Sequence, residues 1–516
     1  MYKNNQIYLK LSDGLLEPFT STISVKQGCV FSPLLFNLFI DKICKIFNSD
    51  CDPIQIKNTK LNCLLWADDL LLISETAKGL QNCINQMNEF YTHLGLKINI
   101  KKTKVMIFNQ KGTLLDDKYK FYLSNKLIEI VDQYQYLGLK VRPSSSLQLA
   151  VQELHDKAQR AWFGISHTIF KNKRMEPNKV FALFDSLVTP VALYGCEFWV
   201  PYLISKAGFS SKHGLLETWG TLTSETLNQK CSRTILSVHN KASRLAVLGE
   251  LGRYPLFVNA LIQLLRYKHS LEHRSKTPSL ISDLWADMSD MAQKGEDCWL
   301  LRVNKIVELL NIGFVSSSSV NSMSKRISSI IKSKFESHWI DKINEFKGNK
   351  EDDNDHNKLR VYKSFKACFK MEPYLDLVRN RNQRCSLTRL RISAHNLRSE
   401  TGRRMRPYIP YDQRVCMFCK TDKNSLPNQT CNGNVEFVDN EAHFLTVCTR
   451  FENTRSIFFN KLAPLIPGFG ELSKDDKLLT LMCPTSAQSA KLINRYIQFM
   501  FDKRAKIEGG EGTYGL

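Results

Sequence analysis

The period of apolar and polar positions changes several times along the chain. Lys60–Trp66 ("KLNCLLW") and Leu70–Ser74 ("LLLIS") read as two short strands, with Ala67-Asp68-Asp69 as the tight turn between them. Ser74 is placed to cap a helix. The apolar face of that helix runs through Leu80, Cys83, Ile84, Met87, Phe90, Tyr91 and Leu94 at spacings of three and four. Gly95 stands where a helix ends in a left-handed residue. "INIKKTKVMIF" and "YQYLGLKV" follow, both strand-like. Upstream, Ser32 and Pro33 are N-cap and N1 of a helix over "SPLLFNLFIDKI" that is apolar nearly all round, a pattern that predicts burial. From about residue 147 the period turns helical. It stays mostly so to about residue 375, with breaks at "SSSSVNS" and at the hydrophilic "FKGNKEDDNDHNK". The expected fold class is α+β, with strands gathered in the first part and helices after it.

Composition adds scale and charge. At 516 residues the chain is long enough for two to four domains, and its 43% hydrophobic content is enough for sizeable cores. Lys and Arg total 72 against 50 Asp and Glu, giving a net charge of +22. Such an excess suits a polyanionic partner. No run of about 18 apolar residues is present, so no membrane partner is expected. "MYKNNQIYLK" lacks the apolar stretch of a signal peptide. Fifteen scattered cysteines suit a reducing compartment, nuclear or cytoplasmic and not secreted.

Asp68 and Asp69 are the residues that most need an explanation, because adjacent carboxylates between apolar strands repel each other. At a hairpin tip both can reach a cleft and share a divalent ion whose charge removes the repulsion. An exposed Asp-Asp turn without a ligand is the other reading. The order of segments bears on the choice. "VKQGCVFSPLLFNLFID", "LLWADDLLLIS", "GLKINIKKTKVMIF" and "YQYLGLKV" together resemble, in order and spacing, the later palm motifs of the non-LTR (LINE-type) retrotransposon reverse transcriptases. The specific resemblance covers Met1 to about Arg142. "TPVALYGCEFW" and the C-terminal cysteine region are also similar to this family.

The resemblance implies a partial reverse-transcriptase palm over residues 1–142, a helical thumb or connection over 143–250, a helical basic region over 251–410, a zinc-binding module over 411–460 and a helical tail over 461–516. It implies Asp68 and Asp69 as Mg²⁺ ligands and catalytic residues. Lys102 would act on the leaving pyrophosphate, in the motif that also holds Asn99 and Thr103. Gln27 and Gly28, with Asn99, would shape the template and nucleotide pocket, and Tyr136, Leu137 and Gly138 would form the primer grip. The partners would be an RNA template and a DNA primer or target. Two residues depart from the family pattern: Trp66 stands where Tyr or Phe is usual, and Ser24 where Gly is usual. Only 26 residues precede Gln27, too few for the strand with the family's third carboxylate or for the fingers. Asp13, in "LSDGLLEPF", reads as a turn residue. The expectation is therefore a polymerase remnant that is inactive alone. The alternative, of a different class, is a non-catalytic RNA- or DNA-binding protein.

Two further constellations carry chemistry. Between Arg379 and Arg406 nine arginines accompany a single Glu. Arginine binds phosphate bidentately, and such asymmetry favours a nucleic-acid surface over a solvated helix face. Arg398, Arg403, Arg404 and Arg406 are the expected contacts. Later, Cys416-x2-Cys419 and His443-x4-Cys448 are separated by 23 residues. Three thiolates and an imidazole at such spacing suit a closed tetrahedral Zn²⁺ site, with Cys431 left in the intervening loop.

Overall fold

The computed structural model describes residues 5–21, 25, 26, 28–109, 118–171, 176–208, 215, 222–313, 320–345, 359–421 and 438–507. It is α+β and mostly helical. The chain divides into two compact units, one of residues 1–150 with 271–301, the other of 151–270 with 302–516. No single helix among the described residues is long and apolar enough to cross a membrane.

Among the described residues, all the strands lie in the first unit. They form five two-stranded ribbons and one three-stranded sheet. Its core, Ile43, Ile84, Met87, Val105, Phe121, Leu123 and Ile128, lies under the helix Ala77–His93. That helix buries Cys83, Ile84 and Met87, as its periodicity predicts. Its cap is Thr76, whose side chain accepts from the Gly79 N–H; the expected cap, Ser74, instead donates its hydroxyl to the Cys51 carbonyl at 2.8 Å. Gly95 ends the helix at φ +71°, with Gly95 N–H bonded to Thr92 O and Leu96 N–H to Tyr91 O. A cluster at the far end of the adjacent ribbon, Ile54–Leu61, ties it to the helix Leu280–Gln293: Lys57 pairs with Asp290, and the Thr59 hydroxyl donates to Asp283 at 2.6 Å.

Two sequence expectations fail here. The helix Ser32–Ile40 buries only Ser32 and Ile40. Leu34, Leu38 and Phe39 are 56%, 65% and 48% exposed. All-round apolarity asks for partners on every side, and the described residues supply them at only two positions. The segment "INIKKTKVMIF" is strand only at Lys104–Val105; Asn99, through a turn, accepts the Lys102 and Thr103 N–H groups on its carbonyl.

The second unit is helical. Its centre is a buried charge cluster. The Arg391 guanidinium, fully buried, donates to Glu250 (Nε to Oε1, 2.5 Å), to Glu372 and to the Met482 carbonyl. Tyr374 donates to Glu250 at 2.8 Å, and Lys366 to Glu372 at 2.5 Å. The ring of Phe365 lies 4.3 Å from the guanidinium carbon. Charges so deep persist only when each is paired, and here each is.

Candidate metal centre and carboxylate hairpin

The sequence motif Cys416-x2-Cys419 and the pair His443 and Cys448 converge, with their ligand atoms all within 4.8 Å of one another. The local fold brings this about. Val415, just before Cys416, forms an antiparallel bridge with Val438, so the two halves of the motif run side by side. Cys419 lies in the short helix Met417–Thr421, and His443 opens a π-helical turn, His443–Val447, that ends at Cys448. Cys416 and Cys448 sulfurs are 3.9 Å apart, Cys419 and Cys448 sulfurs 3.7 Å, and Cys419 Sγ is 3.4 Å from His443 Nε2. Tetrahedral bonds of about 2.3 Å to sulfur and about 2.05 Å to nitrogen would put sulfurs about 3.8 Å apart, and sulfur about 3.6 Å from nitrogen. The four side chains therefore fit one tetrahedral ion of the thiophilic kind, with no open position.

Electrostatics agree with the geometry. Contacts with the Cys416 and Cys448 sulfurs push the Cys419 thiol far below the usual range, while the same kind of contact pushes Cys448 up. Burial pulls His443 down, but the Cys416 and Cys419 sulfurs outweigh it and lift the imidazole to about 10. A bound metal ion would replace these shared protons. The surroundings hold the ligands in place: Asn440 Oδ1 accepts the His443 N–H at 2.9 Å, and Arg455 donates to the Cys448 carbonyl at 3.0 Å. Cys431 lies outside the described residues.

The arginine run divides in two. Arg384 and Arg391 are buried, and Arg384 Nη1 donates to the carbonyls of Leu375 and Val378 at 3.2 and 3.1 Å. Arg381 and Arg389 bond the hydroxyl and carbonyl of Ser237, and Arg379 pairs with Glu176 at 3.5 Å. These residues staple the fold. Of the expected phosphate contacts, Arg404 and Arg406 are exposed. Arg403 turns toward Glu400, 3.4 Å away, and Arg398 is half-buried.

The hairpin Cys63–Trp66 and Asp69–Leu72 is antiparallel, with Trp66 opposite Asp69. The turn is thus Ala67-Asp68, with Ala67 at φ +52°, and Asp69 opens the second strand. Both aspartates are exposed, as is Trp66 at 67%. A second hairpin, Tyr134–Tyr136 with Leu139–Val141, turns through Leu137 (φ +45°) and Gly138 (φ +85°). Burial, and then the charge of Asp69, raise the Tyr136 phenol. The Tyr134 hydroxyl reaches the Lys102 carbonyl at 3.4 Å, and Asn99 Oδ1 accepts the Lys102 N–H at 3.3 Å.

With this geometry in place, comparison with known proteins is decisive. Residues 3–141 match the reverse transcriptase (RNA-dependent DNA polymerase) family. The chain is similar to the retrovirus-related Pol polyprotein of a type-2 retrotransposable element of Drosophila melanogaster, 30% identical over 152 residues, 28% of this chain and 14% of that one. The first part of the chain is a reverse transcriptase domain of non-LTR retrotransposon origin. It is also similar to a putative uncharacterized transposon-derived protein of Caenorhabditis elegans, 28% identical over 150 residues, 28% of this chain and 51% of that protein. A Pol polyprotein from a type-1 retrotransposable element of Bradysia coprophila is 27% identical over 162 residues, 30% of this chain and 18% of that one. The chain spans about half the length of these relatives or less.

Within the reverse transcriptase domain the structure brings Lys102 with Asn99 to Tyr134. Gln27 and Ser24 lie outside the described residues. Gly28, at φ +78°, sits in the turn before the helix Ser32–Ile40. The residue that sequence reasoning missed is Asp439. Its partners, Arg398, Arg414 and Arg504, lie 25 to 65 positions away, and no local pattern announces them.

Proposed function

We propose that this chain is a nucleic-acid-binding protein derived from a non-LTR retrotransposon, one that does not polymerise by itself. The observation that carries the reading is the donor set at the hairpin. Asp68 and Asp69 are exposed, side by side, and hard oxygen donors of the kind Mg²⁺ takes, but among the described residues no third carboxylate, His or Cys joins them. Bound Mg²⁺ would activate a 3′ hydroxyl and neutralise charge on the α-phosphate of a deoxynucleotide. Asp68 and Asp69 would hold it. Tyr136, Leu137 and Gly138 would position the primer end, with Gln27, Gly28, Asn99 and Lys102 around the nucleotide. Two carboxylates hold a divalent ion weakly, so binding outlasts catalysis. The Cys416, Cys419, His443 and Cys448 site takes zinc, as a folding element rather than a reactive one. Arg404 and Arg406 bind phosphate of RNA or DNA.

Two outcomes test this. On an RNA template with a DNA primer, Mg²⁺ and deoxynucleotides, extension stays at background, and Asp68→Ala changes nothing. Extension that disappears in Asp68→Ala overturns the reading of inactivity. Binding to mixed-sequence RNA weakens by orders of magnitude between about 50 and 200 mM salt if several phosphates are neutralised. Affinity that ignores salt removes the phosphate surface from the proposal.

A further inference from the structure

We propose that metal binding and the presentation of the basic loop Arg398–Ile409, which opens with the helical turns Arg398–Thr401 and Gly402–Arg404, are a single event, with Asp439 as the positioning residue. The proposal rests on the reading that Arg404 and Arg406 meet phosphate. Asp439 is fully buried, one position after the bridge residue Val438 and four before the ligand His443. Its carboxylate takes both Arg504 terminal nitrogens, at 2.8 and 2.7 Å, and also accepts the Arg398 N–H at 2.8 Å. Its carbonyl accepts the Ser399 N–H at 3.1 Å, and its N–H donates to the Arg414 carbonyl at 2.8 Å. The start of the loop therefore hangs on Asp439.

The far end of the loop hangs on Arg414, two residues before the ligand Cys416. Arg414 is buried; Nη1 donates to the Ser399 carbonyl and Nε to the Ile409 carbonyl, each at 2.9 Å. It lies so close beneath the loop that a Cβ at Gly402 would come within 2.8 Å of its side chain. Its guanidinium carbon stands 5.4 Å from the ring of Tyr408, which is 49% exposed. Arg404, Arg406 and Tyr408 thus share one outward loop, with cations for phosphate and a ring on which a base can stack.

Both anchors of this loop sit on the two strands that the metal joins. Cys416 and Cys419 follow Arg414 and Val415, and His443 and Cys448 follow Val438 and Asp439. Val415 and Val438 form an isolated antiparallel bridge. The ion would clamp these strands beside the single Asp439–Arg414 backbone bond and the valine bridge. Lost metal frees Asp439 and Arg414, and the loop loses its shape even though none of its arginines is a ligand.

The test uses the full chain, loaded with zinc or stripped by chelation, and single-stranded mixed-sequence RNA as probe. In the loaded chain, Arg404→Ala with Arg406→Ala flattens the log–log salt slope by about 1.4. Stripping flattens it by a similar amount, and the arginine changes then add nothing. Hydrogen exchange at the Arg398 and Ser399 amides rises on stripping, while the helix Arg381–Arg391 stays protected. Asp439→Asn, loaded with cobalt, keeps the tetrahedral thiolate spectrum yet shows the flattened slope. An arginine effect of full size in stripped protein overturns the coupling and leaves the phosphate surface standing. No arginine effect in loaded protein overturns the surface and the coupling together. Should Asp439→Asn fail to fold, the comparison of stripping with the arginine changes still decides.

Discussion

The full chain should carry one zinc ion, and Cys416→Ser or Cys448→Ser should release it and unfold the region around residues 398–455. Four protein ligands would fill the tetrahedron, so a bound ion would act through folding, and a structural zinc of this type is worth about 10–16 kcal/mol in small peptides at neutral pH. Losing one ligand removes a large share of that. Cys431→Ser should keep the ion. Metal analysis and thermal melts read both results, and full metal occupancy in Cys448→Ser would show that another residue is the fourth ligand. Acid should mimic the ligand variants, because protons and metal compete for the same sulfurs and imidazole. The site needs its surroundings. Tyr496 donates to the Leu445 carbonyl at 2.8 Å, Phe444 packs on Phe501 with centroids 4.7 Å apart, and Arg504 holds Asp439. A segment cut at about Tyr408 and Arg455 leaves those partners behind.

What could be read in the sequence was local. The Asp68 hairpin shows in the alternation on either side of it, the end of the helix Ala77–His93 in Gly95, and the metal ligands in spacings that mirror the reach of a short turn. What could not be read depends on residues distant in the chain. The apolar helix Ser32–Ile40 announces a wish for burial, but its sequence does not say what covers it. The arginine run is the sharper case. A count of nine arginines predicts a positive face, yet charge counts carry no direction. Arg391 points inward because its acceptors, Glu250 and Met482, lie 141 and 91 positions away. Arg404, thirteen residues later, finds no such acceptor among the described residues and is exposed.

That division predicts opposite behaviour from neighbouring arginines. Arg391→Ala should destabilise the chain by about 3–5 kcal/mol, because it leaves the buried Glu250 carboxylate without its cation and the half-buried Glu372 with Lys366 alone. Glu250→Ala should cost a similar amount by leaving the buried guanidinium with Glu372 as its one carboxylate and the Tyr374 hydroxyl without that acceptor. Arg404→Ala, exposed and outside any buried network, should stay within about 0.5 kcal/mol of the parent chain. The salt slope of RNA binding should reverse the ranking, falling in Arg404→Ala and holding in any Arg391 variant that still folds. Denaturant unfolding of the two variants, paired with binding titrations at several salt concentrations, separates the roles. An Arg391→Ala chain as stable as its parent would mean that the buried cluster is not what holds the second unit together.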